Sequence, residues 1–149
     1  MRCVVQRVTE AYVEVNGAET GHIGRGICAL IGVEAGDTEK DAQYMAGKLA
    51  KLRIFEDEQD KMNLSVREVN GGVLAVSQFT LLGDARGQNR PGFTRAEAPE
   101  AANALYERVC DALRDMGVPV EKGVFRTHMM VHILNDGPVT ILLDSKKQF

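Results

Sequence analysis

Apolar positions recur along this chain with three spacings, and each predicts a different kind of element. Residues 2–8 and 11–15 read as two strands; in the second, Ala11, Val13 and Val15 alternate with Tyr12 and Glu14, as on a strand with one buried face. Asn16-Gly17 is a hairpin signal, with a short strand expected around His22-Ile23. Residues 27–33 are apolar at nearly every position, the pattern of a strand covered on both faces. The spacing then becomes helical: Ala42, Met45, Ala46, Leu49 and Leu52 follow a Thr38/Asp41 capping box, predicting a helix over 39–53.

Further on, Ile54-Phe55 opens a short strand-like piece and 56–61 is a polar loop, while 73–76 form an apolar strand after Gly71-Gly72. Residues 83–93 hold three glycines and one proline and read as a flexible loop. Pro99 suits the first turn of a second helix, whose Ala102, Leu105, Val109, Leu113 and Met116 make an apolar stripe that Gly117 ends. Residues 118–124, 129–134 and 139–143 are the last strands. Gly137-Pro138 between the final two reads either as a hairpin turn or as bare, fixed backbone that a ligand approaches closely. The order strands, helix, strands, helix, strands predicts one α+β domain over 1–149, two principal helices on a mixed, mainly antiparallel sheet.

Composition narrows the picture. A chain of 149 residues can bury a proper core without staples, and three widely spaced cysteines with no CxxC pair suggest reduced, buried thiols. The N-terminus reaches charge within a few residues, and no apolar run approaches membrane-spanning length, so a soluble, cytoplasmic protein is expected. With 18 Lys plus Arg against 21 Asp plus Glu, the net charge of −3 argues against a broad basic face that coats nucleic acid. It leaves open a protein that grips only a nucleic-acid end.

Candidate chemistry concentrates at the end of the 73–76 strand. Ser77, Gln78 and Thr80 place two hydroxyls and an amide within four residues, either as a site at a strand end or as groups bonded to nearby backbone. A hydrolase also needs a base and oxyanion donors, and no GxSxG elbow, phosphate-cradling loop or GxGxxG is present. His128 and His132 would share a strand face but lack a Cys, Asp or Glu to complete a metal set. The acidic loop at 56–61 lacks the pattern of a calcium site.

SQFTL at 77–81 together with NDGPVT at 135–140 closely resembles the signature pair of the D-aminoacyl-tRNA deacylases, and MRCVVQRV, KLRIFEDEQDKMNLSV, RPGF, GVFRTHMMV and TILLDS extend the likeness over the whole chain. The resemblance implies a homodimer without metal or organic cofactor. Its reaction would cleave the ester between a D-amino acid, or mischarged glycine, and the 3′ end of tRNA, with no role for DNA or membrane. By the same resemblance, Ser77, Gln78, Phe79 and Thr80 line the pocket around the ester, with Phe79 and Thr80 N–H groups stabilising the oxyanion and the terminal 2′-hydroxyl taking part. Gly137 and Pro138 form a Gly-cisPro element inserted into the partner's site, where main chain excludes an L side chain. Phe125 and Met129 flank the terminal adenine, and Arg7 supports the pocket. The chain departs from the family's usual residues at Arg126-Thr127 (Gly-Ala), Leu82-Gly83 (Tyr-Ala) and Gly92 (Ser). Two other readings stand beside this one: an RNA-end-binding module without turnover, and a hydrolase of small D-amino acid esters.

Overall fold

The computed structural model describes residues 1–149. Three strands come first, β1 (Arg2–Val15), β2 (Ala18–Ile23) and β3 (Gly26–Gly32), followed by helix α1 (Glu39–Lys51). A small ribbon of β4 (Phe55–Glu56) and β5 (Met62–Leu64) precedes β6 (Gly72–Ser77), and a 3₁₀ turn (Phe79–Leu82) leads toward α2 (Pro99–Asp115). Strands β7 (Val120–Lys122) and β8 (Met130–Asp144) complete the chain.

The main sheet has six strands in the order β2-β1-β3-β6-β7, with β8 also on β1. Residues 2–8 of β1 pair with β3, and residues 11–15 with β2; β8 pairs antiparallel with nearly the whole of β1. Because those β1 residues already use one edge for β2 or β3, β8 lies on the other and its own outer edge is unpaired. The β3–β6 and β6–β7 pairs are parallel. Parallel neighbours need a crossover, and α1 and α2 supply the two helices for it. The expected α+β class with a mixed sheet and two helices is what the chain forms.

Alternation along the strands serves two cores. Ile27, Ala29 and Ile31 of β3 and Val73 and Ala75 of β6 join the larger one beneath α1 and α2; Cys28, Leu74 and Val76 belong to a smaller one on the opposite side of the sheet. That second face is enclosed because the sheet curls: a Cβ at Gly21 of β2 would stand 2.5 Å from the Lys122 carbonyl of β7. This explains why residues 27–33 are apolar throughout. The Tyr106 hydroxyl, buried beneath α2, donates to the Ala75 carbonyl at 2.9 Å and so satisfies its polar tip.

The helix signals held in detail. The Asp41 carboxylate accepts from the Thr38 N–H at 2.8 Å, and Ala42, Met45, Ala46 and Leu49 are buried. Helix α1 stops at Lys51, two residues before the predicted end, because Leu52 turns extended as the chain leaves to bury Ile54 and Phe55.

Two strand predictions are corrected. Residues 2–8 and 11–15 form one continuous strand whose buried side switches: Cys3 and Val5 face the larger core, Val8, Ala11 and Val13 the smaller. The exposed pair Thr9-Glu10, which looked like a break, falls where the pairing with β8 is irregular. Likewise, residues 129–134 and 139–143 are not the arms of a hairpin. Both lie on β1 in the same direction, Leu134 opposite Glu10 and Thr140 opposite Gln6, so Gly137-Pro138 is a bulge within one strand. The 83–93 loop is closed by paired backbone hydrogen bonds between Asp84 and Gly92 at 2.8 and 2.9 Å.

Candidate active site

Ser77 ends β6 beside Ile31, and the next residue stays tied to β3 through a 2.8 Å bond from the Gln78 N–H to the Ile31 carbonyl. The chain then tightens into the 3₁₀ turn, whose Leu81 N–H reaches the Gln78 carbonyl at 3.3 Å. Such a turn leaves the N–H groups before its first bond without partners inside it, here those of Phe79 and Thr80. Gly32 makes the close approach possible: a Cβ there would sit 2.6 Å from the Leu82 side chain and 2.9 Å from the Gln78 carbonyl.

A cavity of about 640 Å³ opens at this strand end, lined among others by Ser77, Gln78, Phe79, Phe125 and Met129. The volume suits a ligand of nucleoside size. Phe79 is 58% exposed at its mouth and meets Phe93 edge to face, with ring centroids 5.1 Å apart. Thr80 does not line the cavity; its hydroxyl accepts a hydrogen bond from the Gln78 side-chain amide. Phe125 also packs on the larger core near Tyr106, and Met129 on the smaller. Each therefore combines a packing role with a place on the cavity wall.

Gly137 and Pro138 lie elsewhere. Their peptide bond is cis, and Gly137 has φ +141°, a conformation in which a Cβ would stand 2.6 Å from the Val139 side chain and 2.7 Å from its nitrogen. Arg7, only 5% exposed, holds this bulge: its Nε donates to the Asp136 carbonyl at 3.1 Å and its Nη1 to the Ile54 carbonyl at 2.8 Å. The Asp136 carboxylate lies 3.2 Å from the same Nε. Asn135 bonds from the other side, its side-chain N–H group donating to the Arg7 carbonyl at 2.9 Å and the Val139 carbonyl at 3.1 Å. Within one protomer Arg7 braces the Gly137-Pro138 bulge and does not line the cavity.

Within one chain the two regions stay apart. The bulge faces Arg7, which is level with Ile27 on β3, while Ser77 is level with Ile31. Four residues along the strands is about 13 Å, and β8 to β6 crosses three strand spacings, about 14 Å.

Sequence reasoning missed Glu97 on the cavity wall. Its carboxylate accepts from the Gly36 N–H at 3.2 Å and the Ala98 N–H at 2.7 Å, and its position just before Pro99 was the available signal. The two late histidines are separated: His128 precedes β8 and lines the cavity, whereas His132 stacks on Tyr12 with centroids 4.2 Å apart and bonds Glu14. The acidic loop at 56–61 is a capped turn in which the Asp57 carboxylate accepts from the Gln59 and Lys61 N–H groups, holding its pKa below the usual range. No three His, Cys, Asp or Glu side chains cluster as a metal site requires. Burial pushes the Cys28 thiol up to about 12 and the Cys110 thiol to about 11, so neither is a ready nucleophile.

A polar strand end with backbone donors beside a nucleoside-sized cavity, carried on an α+β domain, is an arrangement that an ester hydrolase can use. The family model described as D-Tyr-tRNA(Tyr) deacylase matches residues 4–144. A D-aminoacyl-tRNA deacylase of Anaeromyxobacter dehalogenans is 63% identical over 149 residues, covering all of both chains. That of Thermotoga petrophila is 57% identical, also over the whole of both chains. Among solved structures, one titled c-Myc DNA Unwinding Element Binding Protein has a TM-score of 0.92 at 44% identity, covering 97% of this chain and 98% of that one. A probable eukaryotic D-amino acid tRNA deacylase has a TM-score of 0.76 at 20% identity over 95% and 97% of the two chains, a likeness of fold. The chain belongs to the D-Tyr-tRNA(Tyr) deacylase family, and so to the hydrolases that act on aminoacyl-tRNA.

Proposed function

We propose that the protein hydrolyses the ester of D-aminoacyl-tRNA, releasing the D-amino acid and tRNA, and clears glycine mischarged on tRNA(Ala). The observation that carries this reading is the 3₁₀ turn whose Phe79 and Thr80 N–H groups stand free beside the cavity that Ser77 and Gln78 line. Placed at the ester carbonyl, these donors stabilise the oxyanion that forms when water attacks. Of the side chains on the cavity wall that could act as a base, Glu97 is held by the Gly36 and Ala98 N–H groups; in this reading the terminal adenosine's 2′-hydroxyl assists, and Thr80, which lies off the wall, is not the nucleophile. Phe125 and Met129 flank the adenine.

Chirality is read by the second region, acting in trans. The outer edge of the 15-residue β8 is unpaired, and Met130, Leu134 and Leu142 are exposed along that strand. Long bare edges are normally covered, and a second copy of the chain covers this one. The dimer carries Gly137 and Pro138 of each protomer into its partner's cavity, where rigid main chain leaves room for hydrogen at the α-carbon but not for an L side chain. The enzyme works on cytoplasmic tRNA as a translational proofreader. A net charge of −3 disfavours duplex DNA as the partner.

The test is deacylation of matched D- and L-tyrosyl-tRNA, with chelator present and a Gly137→Ala variant alongside. Release from the D substrate alone, unaffected by chelator and lost in the variant, is expected. Release from both enantiomers leaves a general esterase; binding without release leaves an RNA-end-binding module; and turnover of free D-amino acid esters without competition by tRNA leaves a small-ester hydrolase.

A further inference from the structure

Arg126 is the one basic side chain other than His128 on the cavity wall, and it takes part in none of the ion pairs that engage other arginines of the fold. It sits in the left-handed region at φ +60°, which residues with a Cβ seldom occupy. The turn that holds it there is locked: both the N–H and the hydroxyl of Thr127 donate to the Val124 carbonyl, at 3.3 and 2.8 Å. The sole carboxylate on the cavity wall, Glu97, is occupied by the backbone N–H groups of Gly36 and Ala98. An exposed, unpaired guanidinium thus stands at the mouth on backbone that a glycine would adopt with less strain. Unfavourable local conformation kept at a site is a pointer to function.

We infer that Arg126 is a specificity-determining residue that grips a phosphate of the RNA strand leading into the cavity. This rests on the reading above, in which the terminal aminoacyl-adenosine fills the cavity. The first phosphodiester then lies at the mouth, where a planar guanidinium binds two of its oxygens at once. The recognised class is therefore an ester whose nucleoside carries a 5′-phosphodiester, in preference to the bare nucleoside ester.

The experiment compares wild type, Arg126→Gly and Arg126→Lys on D-tyrosyl-tRNA and on 3′-O-D-tyrosyl-adenosine, which has no phosphodiester. The glycine variant relieves the left-handed strain, so it folds, and its melting temperature rises by about 2 °C. Its ratio of kcat/KM for tRNA over the adenosine ester falls about tenfold, chiefly through KM on tRNA. The slope of log affinity for uncharged tRNA against log salt shrinks by about 0.7–0.9, one phosphate contact. Arg126→Lys keeps the charge and most of the slope. An unchanged ratio and slope in the glycine variant, or equal losses on both esters, overturns the inference. If wild type hydrolyses neither ester, it is the deacylase reading that fails.

Discussion

The Ser77–Thr80 strand end and the Gly137-Pro138 bulge carry the signature pair of the family resemblance, yet they are built oppositely. The first is an opening: strand hydrogen bonding stops, a 3₁₀ turn leaves donors free and a partly exposed aromatic ring stands at the rim. The second is a clamp, in which a buried arginine and an asparagine fix the main chain from both sides. One region is made to receive a ligand and the other to resist displacement. The proposed catalysis with chiral exclusion needs both properties, and a single backbone segment cannot easily have both.

Breaking the clamp should have the largest effect. Gly137→Ala puts a Cβ 2.6 Å from Val139 at φ +141°, so the bulge must distort. We expect deacylation of D-tyrosyl-tRNA to fall at least about 100-fold in single-turnover assays, from a misplacement of about 1 Å. Arg7→Ala leaves the Ile54 and Asp136 carbonyls without their donor, at a cost of about 3 kcal/mol and a melting temperature lower by on the order of 10 °C. A calorimetric shift under 2 °C would show that the guanidinium does not brace the bulge.

Leu134→Glu with Leu142→Glu places charge on the exposed β8 residues. The pair should convert the protein to monomer by sedimentation at micromolar concentration and remove deacylation with it; monomer that retains full activity would put both regions to work in one chain. Thr80→Ala should keep activity within about tenfold, since the turn's backbone donors remain. Complete loss with fold and tRNA binding intact would make the hydroxyl catalytic.

The smallest effect concerns the buried thiols. Cys28 and Cys110 have folded-state pKa values raised from 9.0 to about 12 and about 11, so the unfolded chain releases these protons first. Their contribution to stability is complete below pH 9 and is lost as pH rises toward 12. The urea midpoint should be lower at pH 10.5 than at pH 8, and a Cys28→Ala, Cys110→Ala protein should show a shallower decline.

Much of this molecule was legible in its residues, for a local reason. Thr38 with Asp41, Pro99, Gly117 and the helical stripes act within a few positions, and both helices appear where they point. The apolar run 27–33 correctly announced a strand covered on both faces, and of the polar groups at 77–80, Ser77 and Gln78 line a cavity while Thr80 does not. What tertiary structure decided is pairing. Whether Thr9-Glu10 and Gly137-Pro138 are ends or irregularities depends on β1 and β8 running alongside each other, an association of residues more than 110 positions apart that no local preference encodes. Arg7 gave little sign of its partners, because its hydrogen bonds go to the Ile54 and Asp136 carbonyls, a group that every residue carries. The sequence by itself determined elements and chemistry; only folding brought Glu97 and Arg126 to the cavity and kept Gly137 away from it, because distance in space is set by strand register and not by distance along the chain.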